Sequence, residues 1–126
     1  MDQSVLVVDD SATLRASVKF TLSEAGYAVE EAINGKDALQ KLELLKARGV
    51  PISLIISDIN MPEMDGITFV REVKKDNALR FVPVLILTTE SQETKKMDGK
   101  NAGAAGWLVK PFSNDQLIGV VRKFVR

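Results

Sequence analysis

Five short runs of mainly apolar residues recur along the chain, and each is followed by a stretch where apolar residues return every three or four positions. The runs are 5–8, 27–32, 54–57, 84–87 and 106–109, of which 27–32 alternates only weakly. Leu14, Val18, Leu22 and Ala25 share one helical face until Gly26 stops the pattern, and Ala38, Leu42 and Leu45 share another after the Asn34-Gly35 turn and cap. Gly49 and Pro51 end that second helix, and Ile67, Val70 and Val73 mark a third after a loop punctuated by Pro62 and Gly66. Ser91 is expected to cap a fourth helix running to about Ala102, in which Gly99 costs about 1 kcal/mol relative to Ala. A fifth opens at Ser113 or Asn114 and turns Leu117, Val120, Val121 and Phe124 inward. Parallel strands need crossover connections, and crossover helices cover both faces of the sheet. The alternation therefore predicts a doubly wound α/β domain with a five-stranded parallel sheet. The 126 residues suit one core, and no repeat, low-complexity tract or linker suggests a second domain.

Composition narrows the chemistry. The chain has no Cys and no His, which excludes disulfides, thiolate metal sites, imidazole bases and phosphohistidine on this chain. Acidic and basic residues balance at 17 each, so no basic field attracts nucleic acid or anionic lipid. No apolar run has the length of a signal core or membrane span, and the expectation is a soluble, cytoplasmic, monomeric protein.

The polar residues that end the strand runs are more telling: Asp9 and Asp10 after the first, Asp58 after the third, Thr88 after the fourth and Lys110 after the fifth. The second run reaches Asn34 only after an extra residue or two, as befits a strand at the outside of the sheet. In open α/β sheets, ligands bind outside the carboxyl edge of the strands. Taken singly, Asp9 and Asp10 also read as helix caps, Thr88 as a cap or strand end and Lys110 as a solvated charge. Taken together they need an offsetting charge, because carboxylates about 4 Å apart repel by about 4 kcal/mol per pair at an effective dielectric constant near 20. Total stability is only about 5–15 kcal/mol. Lys110 supplies one positive charge, and a hard, oxygen-seeking cation, Mg²⁺ before Ca²⁺ or Zn²⁺, would supply the rest. Carboxylate, metal, hydroxyl and ammonium make a phosphoryl-transfer site, in which an Asp nucleophile would accept the phosphoryl group.

The segments VLVVDDSATLR, LIISDINMPEMDG, VLILTTES and GWLVKPF, in this order and covering nearly the whole chain, resemble a response-regulator receiver domain of the single-domain chemotaxis CheY type. The resemblance implies a flavodoxin-like (CheY-like) fold with strand order 2-1-3-4-5, and residues 1–126 as one receiver domain. It implies Asp58 as phosphoacceptor and a Mg²⁺ site formed by Asp9, Asp10, Asp58 and the backbone carbonyl of Asn60, with Asp10 the more direct of the first two. It implies Thr88 as the switch hydroxyl, Lys110 as the cation paired with the phosphoryl oxygens, and Pro111 after a cis peptide bond. Asn60 and Glu90 fall at the positions that tune dephosphorylation, although Glu90 reads equally as a first-turn acid of the fourth helix. Trp107 stands where such receivers more often carry Tyr or Phe as the switch aromatic; it also reads as a partly buried strand residue.

The implied cycle takes a phosphoryl group from an external histidine kinase, loses it to water, and exposes a partner face on the fourth helix, fifth strand and fifth helix. Lys95, Lys96, Trp107, Gly119 and Lys123 lie there, with the lysines equally readable as solvated charges. A flagellar motor switch protein or a phosphatase is the implied partner, and the chain is a signalling switch that catalyses only its own phosphorylation and dephosphorylation. A stand-alone phosphorelay intermediate would share every site residue. A flavodoxin-like cofactor binder would need a hydroxyl-rich phosphate loop where Asp9-Asp10 stands, and a phosphatase with an Asp nucleophile would turn over exogenous phosphomonoesters.

Overall fold

The computed structural model describes residues 3–89 and 93–125. Along the chain run β1 (Ser4–Val8), α1 (Ala12–Glu24), β2 (Ala28–Ala32), α2 (Gly35–Ala47), β3 (Leu54–Asp58), α3 (Gly66–Lys75), β4 (Val84–Thr89), α4 (Glu93–Ala102), β5 (Gly106–Lys110) and α5 (Asn114–Phe124). All four strand pairings are parallel and the order is β2-β1-β3-β4-β5, so both the doubly wound architecture and the implied order hold.

Strand side chains alternate between faces, and each face has its own core. Leu6, Val8, Ile55, Val84 and Ile86 pack with Ala38 and Leu42 of α2 and Phe69, Val70 and Val73 of α3. On the other side Val5, Val7, Leu54, Ile56, Leu85 and Leu87 pack with Val18 and Leu22 of α1 and Leu117 and Val121 of α5. Burying each Leu, Ile or Phe of these layers contributes about 1.5–3 kcal/mol.

Helix starts are set by short polar side chains. Ser11, Asn34, Asp65 and Ser113 each accept a hydrogen bond from the backbone N–H three residues on, and Ser113 with Gln116 completes a capping box. Ser91, expected to cap the fourth helix, lies outside the described residues. Gly99 is buried in α4, where a methyl group would meet only Ile86 and Ala104 at ordinary contact distance.

All five strands differ from the sequence reading at one end, β1 by starting at Ser4. Tyr27 precedes β2, because its N–H goes to Leu22 at the end of α1. At the carboxyl edge β3 runs on through Asp58, β4 through Thr89 and β5 through Lys110, since Asp58 pairs with Leu87, Thr88 with Val109 and Thr89 with Lys110. Asp58, Thr88 and Lys110 therefore sit on the last turns of the sheet ladder, where strand pairing sets their backbone.

Candidate functional site

The β1–α1 turn brings Asp9 and Asp10 to the carboxyl edge beside the end of β3, and carboxylate oxygens of Asp9, Asp10 and Asp58 lie within 4.8 Å of one another. Asp9 and Asp58 are buried and Asp10 is exposed, so the cluster is open to solvent on one side. Asp9 Oδ1 accepts the Ser11 N–H at 2.8 Å, and Asp58 Oδ1 accepts the N–H of Ile59 at 2.8 Å. Lys110 Nζ donates to Asp58 Oδ1 at 3.1 Å and to Asp9 Oδ2 at 3.5 Å. Among the described residues Asp58 Oδ2 accepts no hydrogen bond. Burial pushes the Asp9 carboxyl above its ordinary pKa and the neighbouring Asp58 charge adds to this, against the lowering effects of the Ser11 N–H and of Lys110.

The Asp9 main chain is held as closely as its carboxylate. Its N–H reaches Ala32 of β2 at 3.1 Å, extending the ladder one residue past β1, and its carbonyl accepts from Arg15 Nη1 at 2.6 Å. Gly66 supports the β3 side. Its N–H reaches the carbonyl of Ile59 at 2.8 Å, and a Cβ there would collide with the carbonyl oxygen of Asp58 and come within 2.8 Å of the Ile59 Cα. Only glycine admits the start of α3 this close to the end of β3.

Thr88 is buried at the end of β4, two residues beyond Ile86 and therefore on the sheet face shared by Ile86 and Trp107. Its hydroxyl donates to the carbonyl of Thr89 at 3.2 Å. Trp107 is partly buried on that face, packed against the core, with Lys96 Nζ 5.6 Å from its ring centroid. It stands apart from the acids, three residues before Lys110. The Lys110–Pro111 peptide is cis. Asn60 is exposed two residues beyond Asp58, and Asn34 caps α2 without joining the cluster. Glu90 lies outside the described residues, as does the side chain of Lys95. A cavity of about 460 Å³ adjoins Lys110 between α1 and α5, lined by Leu14, Val18, Phe112 and Leu117.

The family model for the response regulator receiver domain matches residues 5–122. The chain belongs to that family. This receiver is 39% identical over 110 residues to the chemotaxis protein CheY1 of Helicobacter pylori strain J99, covering 86% of each chain. It is 37% identical over 125 residues to the sensor histidine kinase CheAY of Helicobacter pylori, aligning 99% of this chain but only 15% of the kinase. The structure of chemotaxis protein CheY4 of Vibrio cholerae superposes with a TM-score of 0.89 at 43% identity, covering 99% of this chain and 100% of that one. Among the described residues no helix is long and apolar enough to cross a membrane.

Reading the sequence for apolar stripes and strand-end acids missed Arg15, Asp65 and Gly66. Asp65 had a usable signal, an Asp three residues ahead of Thr68 at a helix start. Gly66 had only its place after that cap. Arg15 carried no local signal, because its partners lie on other segments.

Proposed function

We propose that residues 1–126 form one phosphoryl-accepting response regulator of a two-component pathway of the chemotaxis type, with Asp58 as acceptor. The observation that carries this reading is the convergence of three carboxylates within 4.8 Å, two of them, Asp9 and Asp58, bridged by the Lys110 ammonium. The donor set also fits a divalent cation: it is all oxygen, it gathers more negative charge than one ammonium offsets, and burial drives Asp9 toward the proton-bound form. Asp9, Asp10, Asp58 and the backbone carbonyl of Asn60 would hold Mg²⁺. When bound it supplies positive charge for the phosphoryl oxygens.

The chain's own groups do the rest. With Oδ1 of Asp58 committed to the Ile59 N–H and Lys110, Oδ2 is the oxygen available to attack phosphorus. The new bond is Oδ2–P; the bond that breaks is P–N of a phosphoimidazole, whose nitrogen leaves and takes up a proton. The donor histidine lies outside these 126 residues, which contain none. The named likeness to a sensor histidine kinase supports a kinase as that donor. Lys110 offsets charge on the phosphoryl group, and Thr88 and Trp107, on one sheet face, carry the change toward α4 and β5. A motor switch protein or a phosphatase is the partner of that face in the cytoplasm, and Asn60 and Glu90 tune the lifetime of the phosphoryl group.

The test is intact-mass spectrometry after incubation with acetyl phosphate and Mg²⁺. Wild type should gain one phosphoryl group and Asp58→Asn none; equal labelling of both overturns the assignment. Incubating the labelled protein with lysate separates the motor reading from a relay, in which label appears on a histidine of a second protein.

A further inference from the structure

We propose that Arg15 is a positioning residue for the acid cluster: its guanidinium fixes the peptide plane between Asp9 and Asp10 and so aims both carboxylates at the cation. This rests on the receiver reading above and gives a role to Arg15, the last residue of the segment VLVVDDSATLR, to which the resemblance assigned none. Arg15 Nη1 donates to the Asp9 carbonyl at 2.6 Å while its Nε donates to Glu31 Oε1 at 3.2 Å. The side chain is only 14% exposed, so these bonds hold a mostly desolvated cation. Glu31 is itself anchored: it lies on β2 in register with Val7, its carbonyl accepts from Lys41, and its second carboxylate oxygen lies 3.5 Å from Lys19. The Asp9 main chain is thus tied to β2 on both sides of its Cα, through its N–H to Ala32 and through its carbonyl, by way of Arg15, to Glu31.

The planar guanidinium can serve both partners because it offers N–H groups in different fixed directions, which one ammonium does not reproduce. Without this tie, repulsion among three acids within 4.8 Å would swing the Asp9–Asp10 turn outward. Positioning and charge predict opposite signs. Arg15 is a cation beside a cation site, so if only its field mattered, removing it would tighten Mg²⁺ binding. If it aims the ligands, removing it weakens binding.

The experiment is calorimetric titration with Mg²⁺ alone, paired with thermal melts in chelator, on wild type, Arg15→Ala, Arg15→Lys and Lys19→Met. Arg15→Ala should raise the Mg²⁺ dissociation constant about ten-fold, the usual effect of losing a group that orients a metal ligand. Arg15→Lys, which keeps the charge, should lose most of the same affinity. Lys19→Met, which removes a cation from Glu31 without touching Asp9, should leave it unchanged. Tighter or unchanged binding in both Arg15 variants overturns the proposal, as does an equal loss in Lys19→Met. If Arg15→Ala melts below the working temperature, Arg15→Lys decides: weaker binding supports the proposal and wild-type binding overturns it. Wild type that neither binds Mg²⁺ nor is labelled at Asp58 would instead defeat the receiver reading.

Discussion

Lys110 Nζ lies 3.1 Å from Oδ1 of Asp58, although 52 residues separate them in the chain, and it also faces Asp9 Oδ2 at 3.5 Å. One ammonium therefore stands where a bound cation would meet the same two acids, and under the proposed phosphorylation of Asp58 it would be within reach of the phosphoryl oxygens. Lys110→Met should bind Mg²⁺ several-fold more tightly by calorimetry and yet be labelled about 10²-fold more slowly by acetyl phosphate. A parallel loss of both would mean that Lys110 only holds the fold.

On the proposed reading Mg²⁺ binds the folded cluster and not the unfolded chain, so it should stabilise the protein. At about ten times its dissociation constant the gain is about 1.4 kcal/mol, read as a rise in urea midpoint, and Asp10→Ala should abolish it. Asp10 suits this test because it is exposed, so its loss opens no buried space.

Asp9 gives a pH signature in chelator. Burial, and then Asp58, raise its pKa above 3.8, so the folded form holds this proton more tightly than the unfolded chain. Where the folded state binds more protons, stability falls as pH rises. Stability should therefore decline from pH 3.8 upward through the raised value, and Asp9→Asn should lose this component of the decline. At neutral pH without Mg²⁺ that variant should be more stable by about 1 kcal/mol or more, with weaker Mg²⁺ binding, as denaturant melts and titration can check.

Gly66→Ala should cost about 2–4 kcal/mol in chemical denaturation, since its methyl group would collide with main-chain atoms of Asp58 and Ile59 that cannot rotate away. Labelling at Asp58 should fall as well. Gly99→Ala is the control: with room for the methyl group and better helix propensity, it should be neutral or stabilising.

The acids of the site were legible because each follows an apolar run that could only be a buried strand, and the same edge collects every strand end in a parallel sheet. Lys110 was legible for that reason too. That Thr88, Thr89 and Lys110 belong to the strands themselves was not legible, because they owe their pairing to register with a neighbour rather than to their own propensity. Arg15 escaped notice because its partners, a carbonyl at the β1–α1 turn and a carboxylate on β2, meet only once the chain is folded. The demand on Gly66 likewise comes from main-chain atoms across a loop, a steric fact that no pattern of side chains records. Trp107 could be read as a strand residue or as a switch, and its partly buried place against the core beside Lys96 accommodates either.

The sheet order apportions stiffness within the site. β1 and β3, which carry the acids, are each hydrogen-bonded to neighbours on both flanks, whereas β5, which carries Lys110, is joined to β4 alone. The anionic half is clamped from two directions and the cationic half from one. Under the proposed phosphorylation of Asp58, the strands beneath the acids would have the least room to yield, and the adjustment would fall on the outer margin that holds Lys110 and Trp107.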